Sequence, residues 1–119
     1  MRAWVFINAD SETEATAQEQ FVKERCIQNG IQVVGSDDLA KYDGNIHKAV
    51  ANVYNNALNH NCDIIAAMNL SRFGLDMERT IPLLKILCDA GLKVFSATEG
   101  MLNECHIESY ALHFSNKKI

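Results

Sequence analysis

The chain has 119 residues, of which 48% are hydrophobic, and its formal net charge is −4. This length suits one compact domain with a single hydrophobic core and is too short for two. Sequence-independent affinity for DNA comes mainly from lysine and arginine side chains that neutralise phosphates, so we expect this acidic chain to bind DNA weakly, if at all, by itself. The longest apolar runs are too short to cross a membrane, and we expect a cytoplasmic protein.

The four cysteines are spread along the chain, at Cys26, Cys62, Cys88 and Cys105. They form no C-x-x-C pair and lack the spacing of a zinc site, which favours reduced, buried thiols in a reducing compartment. The phosphate-binding glycine motifs of nucleotide hydrolases and dinucleotide-binding enzymes are also absent from the sequence. We therefore expect neither a metal nor a cofactor.

Four short apolar runs, at 3–7, 31–34, 63–68 and 92–96, predict β-strands. Stretches of helical periodicity separate them, and this alternation is typical of βαβ units with a parallel sheet. The runs do not alternate cleanly between apolar and polar residues, as expected for strands covered on both faces. We predict a single three-layer α/β domain over residues 1–119, with a mostly parallel sheet of about four to five strands between helices.

The first helix is predicted to begin after Ser11, because Ser11 and Glu14 have the spacing of a capping box. Gly30 suits its end, since glycine readily adopts the left-handed conformation that stops a helix. The residues predicted to face the core are Ala17, Phe21, Val22, Cys26 and Ile27.

The second helix is predicted to open after Asn45, a favourable N-cap residue. Its predicted apolar face consists of Ile46, Ala49, Val50, Val53, Tyr54, Ala57 and Leu58.

A third helix is predicted from about Asp76 to Ala90, with Gly91 ending it. Pro82 would either delay its start to about Thr80 or kink it. The inward residues are predicted to be Met77, Leu84, Leu87 and Cys88. After Thr98–Gly100, the pattern predicts a last strand at 109–115, and a helix over 101–114 is the alternative.

Polar residues follow each predicted strand, and in such folds the carboxyl ends of the strands form the ligand-binding edge. The set comprises Asn8, Asp10, Ser11, Ser36, Asp37, Asp38, Asn69, Ser71, Arg72, Ser96, Thr98 and Glu99. Arg72 suits a phosphate or carboxylate, or else a salt bridge to Asp76. Acidic residues of this set could hold a divalent cation or could cap helices.

Several segments of residues 1–100 resemble the catalytic domain of serine recombinases, the resolvase and invertase family. They are Met1–Phe6, Gln18–Gln20, Leu70–Arg72 and Ala90–Gly100. The resemblance implies a serine that attacks a DNA phosphodiester while several guanidinium groups stabilise the charge on the phosphate. It also implies that the long helix and the C-terminal DNA-binding domain of the family are missing from residues 1–119.

The resemblance places substitutions at the implied active site. Phe6 takes the place of an aromatic residue, Asn8 that of an arginine and Asp10 that of the nucleophile, with Ser11 one position later. The family's second signature, Asp-Arg-Leu-Ser/Gly-Arg, corresponds to Met68–Arg72 in this chain. Of its two arginines, only the distal one is kept, as Arg72. A further arginine is replaced by His47 or Lys48.

Three functional hypotheses follow. The first is a degenerate recombinase-like domain, without strand cleavage, that works as a binding or interaction module and forms a homodimer. The second is an active recombinase domain with Ser11 as nucleophile and Arg72 as the second catalytic residue; the phosphate-binding candidates are Asn8, Asp10, Lys48, Asn69 and Ser71. The third is a receiver-like or small-ligand-binding signalling domain that uses Asp10, Asp37 and Asp38.

Overall fold

The computed structural model describes residues 1–43, 45–69, 85 and 87–102. Its elements in chain order are β1 (Arg2–Ile7), α1 (Glu12–Gln28), β2 (Gln32–Asp38), a 3₁₀ helix (Leu39–Tyr42), α2 (Ile46–Asn59), β3 (Ile64–Ala67), β4 (Lys93–Ser96) and β5 (Gly100–Leu102). Residues 85 and 87–89 are also helical, where the sequence predicts the end of the third helix. The rest of that helix and the predicted strand at 109–115 lie outside the described residues.

The strands form one sheet in the order β2-β1-β3-β4-β5. The first four strands of this order are parallel, and β5 pairs antiparallel with β4. The helices α1 and α2 pack on opposite faces of the sheet, as the two separate core clusters show. The predicted single α/β domain with a mostly parallel sheet between helices is therefore confirmed.

Strand β1 supplies both cores, because successive side chains of a strand point to opposite faces. Trp4 and Phe6 pack towards α2, whereas Val5 and Ile7 pack towards α1. All four are buried, which explains why this run is continuously apolar instead of alternating.

The helical faces differ from prediction at three positions. Ala17 is exposed, and Ile27 is 72% exposed at the end of α1. The buried stripe of α1 is instead Gln18, Val22 and Cys26, each four residues apart. On α2, Leu58 is 44% exposed. These predictions were wrong because periodicity assigned every apolar residue near the stripe to the core. For the same reason, it left out Gln18, a polar residue within the stripe.

Strand β2 is longer than the sequence predicted and runs through Asp38. The polar residues Ser36 and Asp37, predicted to follow the strand, are therefore part of it. The pairing of β1 with β2 shifts between Ala3 and Trp4, whose partners are Val33 and Gly35, so that Val34 forms a bulge. Gly35 is required here, because a Cβ atom at this position would lie 2.5 Å from the Trp4 ring.

Residues 97–99 form a turn that leads directly into β5. Gly100 has φ +96°, a conformation that suits glycine. Met101 and Leu102 continue as a strand, so the alternative of a helix starting at Met101 is wrong at its start. Among the described residues, no helix is long and apolar enough to cross a membrane.

Candidate functional site at the carboxyl edge of the sheet

Asn8 lies immediately after β1, where the chain leaves the sheet. Its backbone N–H donates to Gln18 Oε1 at 3.1 Å, and its carbonyl oxygen accepts from Gln18 Nε2 at 3.2 Å. Gln18 is only 2% exposed. The buried amide of α1 therefore holds the main chain at the first predicted site residue.

Ser11 is the N-cap of α1, and its Oγ accepts a hydrogen bond from the Glu14 N–H at 3.1 Å. The Glu14 carboxylate in turn accepts from the backbone N–H of Asp10 at 3.3 Å. The predicted cap is confirmed, with the carboxylate bonded one residue earlier than in the usual capping box. Asp10 and Ser11 are both exposed at this helix end.

Asp37 is 8% exposed and faces α2 instead of the edge. Its Oδ2 accepts hydrogen bonds from Trp4 Nε1 at 2.8 Å and from Asn56 Nδ2 at 2.6 Å. Its Oδ1 accepts from the Tyr42 hydroxyl at 3.3 Å. Three neutral donors thus satisfy this carboxylate, and they join β1, β2, the 3₁₀ helix and α2.

The hydrogen bond to Asp37 also affects Tyr42. Partial burial, the negative charge of Asp37 and the hydrogen bond to it, in that order, raise the pKa of the Tyr42 hydroxyl. The phenol therefore stays protonated, and remains a donor to Asp37, across the neutral range.

The residues next to Asp37 point the other way. Ser36 Oγ donates to Glu19 of α1 at 3.0 Å, and Asp38 Oδ1 caps the 3₁₀ helix by accepting from the Ala40 N–H at 3.0 Å. Because neighbouring strand residues face opposite sides, Asp37 and Asp38 are separated by the sheet. Within the described residues no three metal-ligating side chains converge. The geometry does not support a shared cation site at Asp10, Asp37 and Asp38.

Lys48 lies in the first turn of α2 and is exposed. Its backbone N–H donates to Oδ1 of Asn45, the predicted N-cap, at 3.1 Å. Because α2 follows the carboxyl end of β2, with only the 3₁₀ helix between them, Lys48 lies towards the edge of the sheet at which the parallel strands end. Asn69 follows β3 and is half-buried. Ser71 and Arg72 lie outside the described residues.

The segment after β4 leaves the sheet at the same carboxyl edge, because β4 is parallel to β3. Ser96 Oγ accepts from the Glu99 N–H at 3.2 Å and lies 3.2 Å from Glu99 Oε1, to which it donates. Ser96 is buried, and this exchange holds the turn that leads into β5.

Sequence reasoning missed Gln18, which holds the main chain after β1, and it missed Trp4 and Asn56, which donate to Asp37. A polar residue at a core position of an apolar stripe was the signal for Gln18. The Trp4 ring contacts His60 with centroids 4.7 Å apart, in addition to its bond to Asp37. Nothing in the local sequence links residues that are 33 positions apart, as Trp4 and Asp37 are.

The fold described above is similar to the folds of solved serine recombinase catalytic domains. The resemblance predicted from sequence is confirmed at the level of the fold. The sequence itself matches no protein-family model and no curated protein.

Among solved structures, the chain is similar to the N-terminal catalytic domain of TP901-1 integrase, with a TM-score of 0.74 and 11% identity over 99% of this chain and 95% of that one. It is similar to a resolvase family site-specific recombinase from Streptococcus pneumoniae, with a TM-score of 0.73 and 12% identity over 99% and 88%. The catalytic domain of ISC1926 TnpA, an IS607-like serine recombinase, gives a TM-score of 0.64 and 11% identity over 82% and 67%.

Proposed function

We propose that the chain is a domain related to site-specific DNA recombination that does not cleave DNA and acts as a binding or interaction module, in a homodimer. Its fold matches that of solved serine recombinase catalytic domains over most of its length. The proposed loss of cleavage rests on one observation, namely which side chains the segment after β1 presents.

This segment presents the wrong groups for phosphate chemistry. Asn8 and Asp10 stand at the positions where the resemblance implies an arginine and a nucleophilic serine. Attack on a phosphodiester develops negative charge, which cationic groups stabilise and a nearby carboxylate opposes. Asp10, Glu12 and Glu14 place three carboxylates at this end of α1. The local charge therefore disfavours both the approach of DNA and its cleavage.

The test is a search for a covalent protein–DNA adduct with the full chain. Because the target is unidentified, the substrate is a random-sequence library of supercoiled DNA, and products are separated on a denaturing gel. We expect no adduct. An adduct that forms with the natural chain and disappears in Ser11→Ala would contradict the proposal.

One observation favours the alternative of an active domain. Ser11 Oγ accepts its hydrogen bond from the backbone N–H of Glu14, so this bond does not use the hydroxyl proton. The side chain is also exposed. In this alternative Ser11 attacks the phosphate while Arg72 and Lys48 bind it.

A pair of substitutions separates the two roles of Ser11. Ser11→Asp keeps an N-cap acceptor but removes the nucleophile, whereas Ser11→Ala removes both. If Ser11 only caps α1, Ser11→Ala lowers thermal stability, Ser11→Asp does not, and DNA assays change with neither. If Ser11 is a nucleophile, both variants lose the adduct regardless of their stability.

The homodimer is tested separately by sedimentation equilibrium over a hundredfold range of concentration. A monomer at the highest concentration would remove this part of the proposal.

A further inference from the structure

A buried amide interrupts the apolar stripe with which α1 contacts the sheet. Gln18 is 2% exposed and lies one and two turns before the buried residues Val22 and Cys26. Burying an amide without partners is unfavourable, whereas an apolar side chain would fill the same place without that penalty. The function of Gln18 must therefore be sought in its hydrogen bonds.

Both polar atoms of Gln18 bind the main chain of Asn8. Oε1 accepts from the Asn8 N–H at 3.1 Å, and Nε2 donates to the Asn8 carbonyl at 3.2 Å. The ladder between β1 and β3 ends at Val5, and that between β1 and β2 ends at Ile7. Gln18 thus supplies the paired donor and acceptor that a neighbouring strand no longer provides at the next residue.

The same helix fixes the following residues as well. Glu14 accepts from the Asp10 N–H, and Ser11 accepts from the Glu14 N–H. The segment 8–11 is therefore held to α1 at its start by Gln18 and at its end by the cap. Two separate attachments determine the path of a chain this short.

We propose that Gln18 is a positioning residue that sets the conformation of segment 8–11, and with it the placement of Asn8, Asp10 and Ser11, before any partner binds. The proposal rests on the proposed function in one respect, that this segment is part of the site. It means that Gln18 sets the main-chain path of the segment independently of the side chains at positions 8 and 10, whose substitutions alter its chemistry.

The first experiment measures amide hydrogen exchange in the full chain by NMR. Gln18→Met keeps the length and apolar stem of the side chain but removes both hydrogen bonds, and Gln20→Met is the matched control on the exposed side of α1. We expect exchange to accelerate about tenfold at Asn8 and severalfold at Glu14, whose N–H reports the Ser11 cap. Amides of β3 should keep their rates, as they should throughout Gln20→Met.

Acceleration at Asn8 alone, with Glu14 unchanged, would overturn the proposal, because Gln18 would then hold one residue and not the segment. Equal acceleration at Asn8 and in β3 would also overturn it, since the side chain would then serve general stability.

A double-mutant cycle provides a readout that a merely additive structural contact does not move. Ser11→Ala is expected to lower the folding equilibrium constant about fivefold in the natural chain and less than twofold with Gln18→Met, because the cap is already displaced. Asn45→Ala, which removes the cap of α2, should cost the same in both backgrounds. Equal losses for Ser11→Ala in both would contradict the proposal.

If Gln18→Met does not fold, Gln18→Leu takes its place in both experiments. Leucine also fits the apolar stripe and lacks both polar atoms, so we expect Asn8 and Glu14 to exchange faster, as in Gln18→Met. An unchanged Glu14 rate in this variant would overturn the proposal. The result is independent of the adduct assay, since exchange reports the segment whether or not the chain cleaves DNA.

Discussion

Gly35 shows how one residue of β2 is determined by a side chain of another strand. The Trp4 ring lies over it, and a Cβ atom would be 2.5 Å from Cη2 and Cζ3 of that ring. The ring cannot move away easily, because its Nε1 is bonded to Asp37 and its face contacts His60.

We expect Gly35→Ala to lower the free energy of unfolding by about 1–3 kcal/mol, the usual cost of overpacking. The measurement is urea denaturation followed by circular dichroism. Gln32→Ala, at an exposed position of the same strand, is the control and should stay within about 0.5 kcal/mol of the natural chain. A Gly35→Ala variant as stable as this control would show that the ring can be displaced without strain.

Asp37 is the residue for which sequence reasoning and structure differ most. The sequence offered it as a cation ligand in a loop, whereas it is a buried strand residue that accepts from Trp4, Tyr42 and Asn56. Its donors come from remote parts of the chain, and no pattern near position 37 indicates them.

We expect Asp37→Ala to destabilise the fold by roughly 2–4 kcal/mol, because it leaves buried donors without their charged acceptor. Thermal and urea unfolding measure the loss. Asp89→Ala removes an exposed carboxylate from a helical residue and should change stability by no more than about 0.5 kcal/mol. Addition of Mg²⁺ should stabilise neither the natural chain nor these variants, and a Mg²⁺-dependent rise in melting temperature lost in Asp37→Ala would restore the cation-site hypothesis.

At the scale of elements, sequence patterns located β1, α1, α2, β3 and β4 because each rests on local chemistry. Apolar runs mark buried strands, and Ser11 and Asn45 mark helix starts that the structure confirms. The patterns failed where tertiary contacts decide. β2 extends through polar residues because Asp37 finds distant donors, and β5 is only three residues long and depends on pairing with β4.

The asparagines of α2 provide a test in which identical substitutions have opposite effects. Asn45→Ala removes the N-cap acceptor for Lys48 N–H and should destabilise the protein by about 1 kcal/mol. Asn55→Ala, at an exposed interior position of the helix, should instead stabilise it by about 0.5 kcal/mol, because alanine has the higher helix propensity. Chemical denaturation of both variants measures the difference, and effects of equal sign would contradict the assigned start of α2.

At the scale of the whole molecule, the sequence predicts where the candidate site lies but not which contacts hold it together. The carboxyl edge follows from the parallel sheet, and Asn8, Asp10 and Ser11 follow from their position after β1. The amide of Gln18 that fixes them belongs to a helix whose sequence gives no sign of its partner.

The core itself makes the molecule sensitive to alkali. Burial raises the pKa of the Cys26 thiol from 9.0 to about 11, so between these pH values the folded chain keeps a proton that the unfolded chain has lost. Stability therefore falls as the pH rises through this window, by at most about 1.4 kcal/mol per pH unit for this group.

The measurement is the free energy of unfolding against pH from 8 to 11. Cys26→Ala should show a shallower decline over the same window than the natural chain, although it is less stable at pH 8 because of the cavity. Parallel curves for the two proteins would contradict the assigned cause.

Strand β2 is an edge strand of the described sheet. Half of its backbone N–H and C=O groups point away from β1, its neighbour in the sheet. Long, flat and regular strands in such a position invite pairing with other chains and therefore aggregation. The bulge at Val34 breaks the regular spacing of β2, and the inward-turned carboxylate of Asp37 would be costly to carry into a continuous intermolecular sheet. The bulge and the buried carboxylate of Asp37 thus also disfavour fibril-like self-association at high concentration.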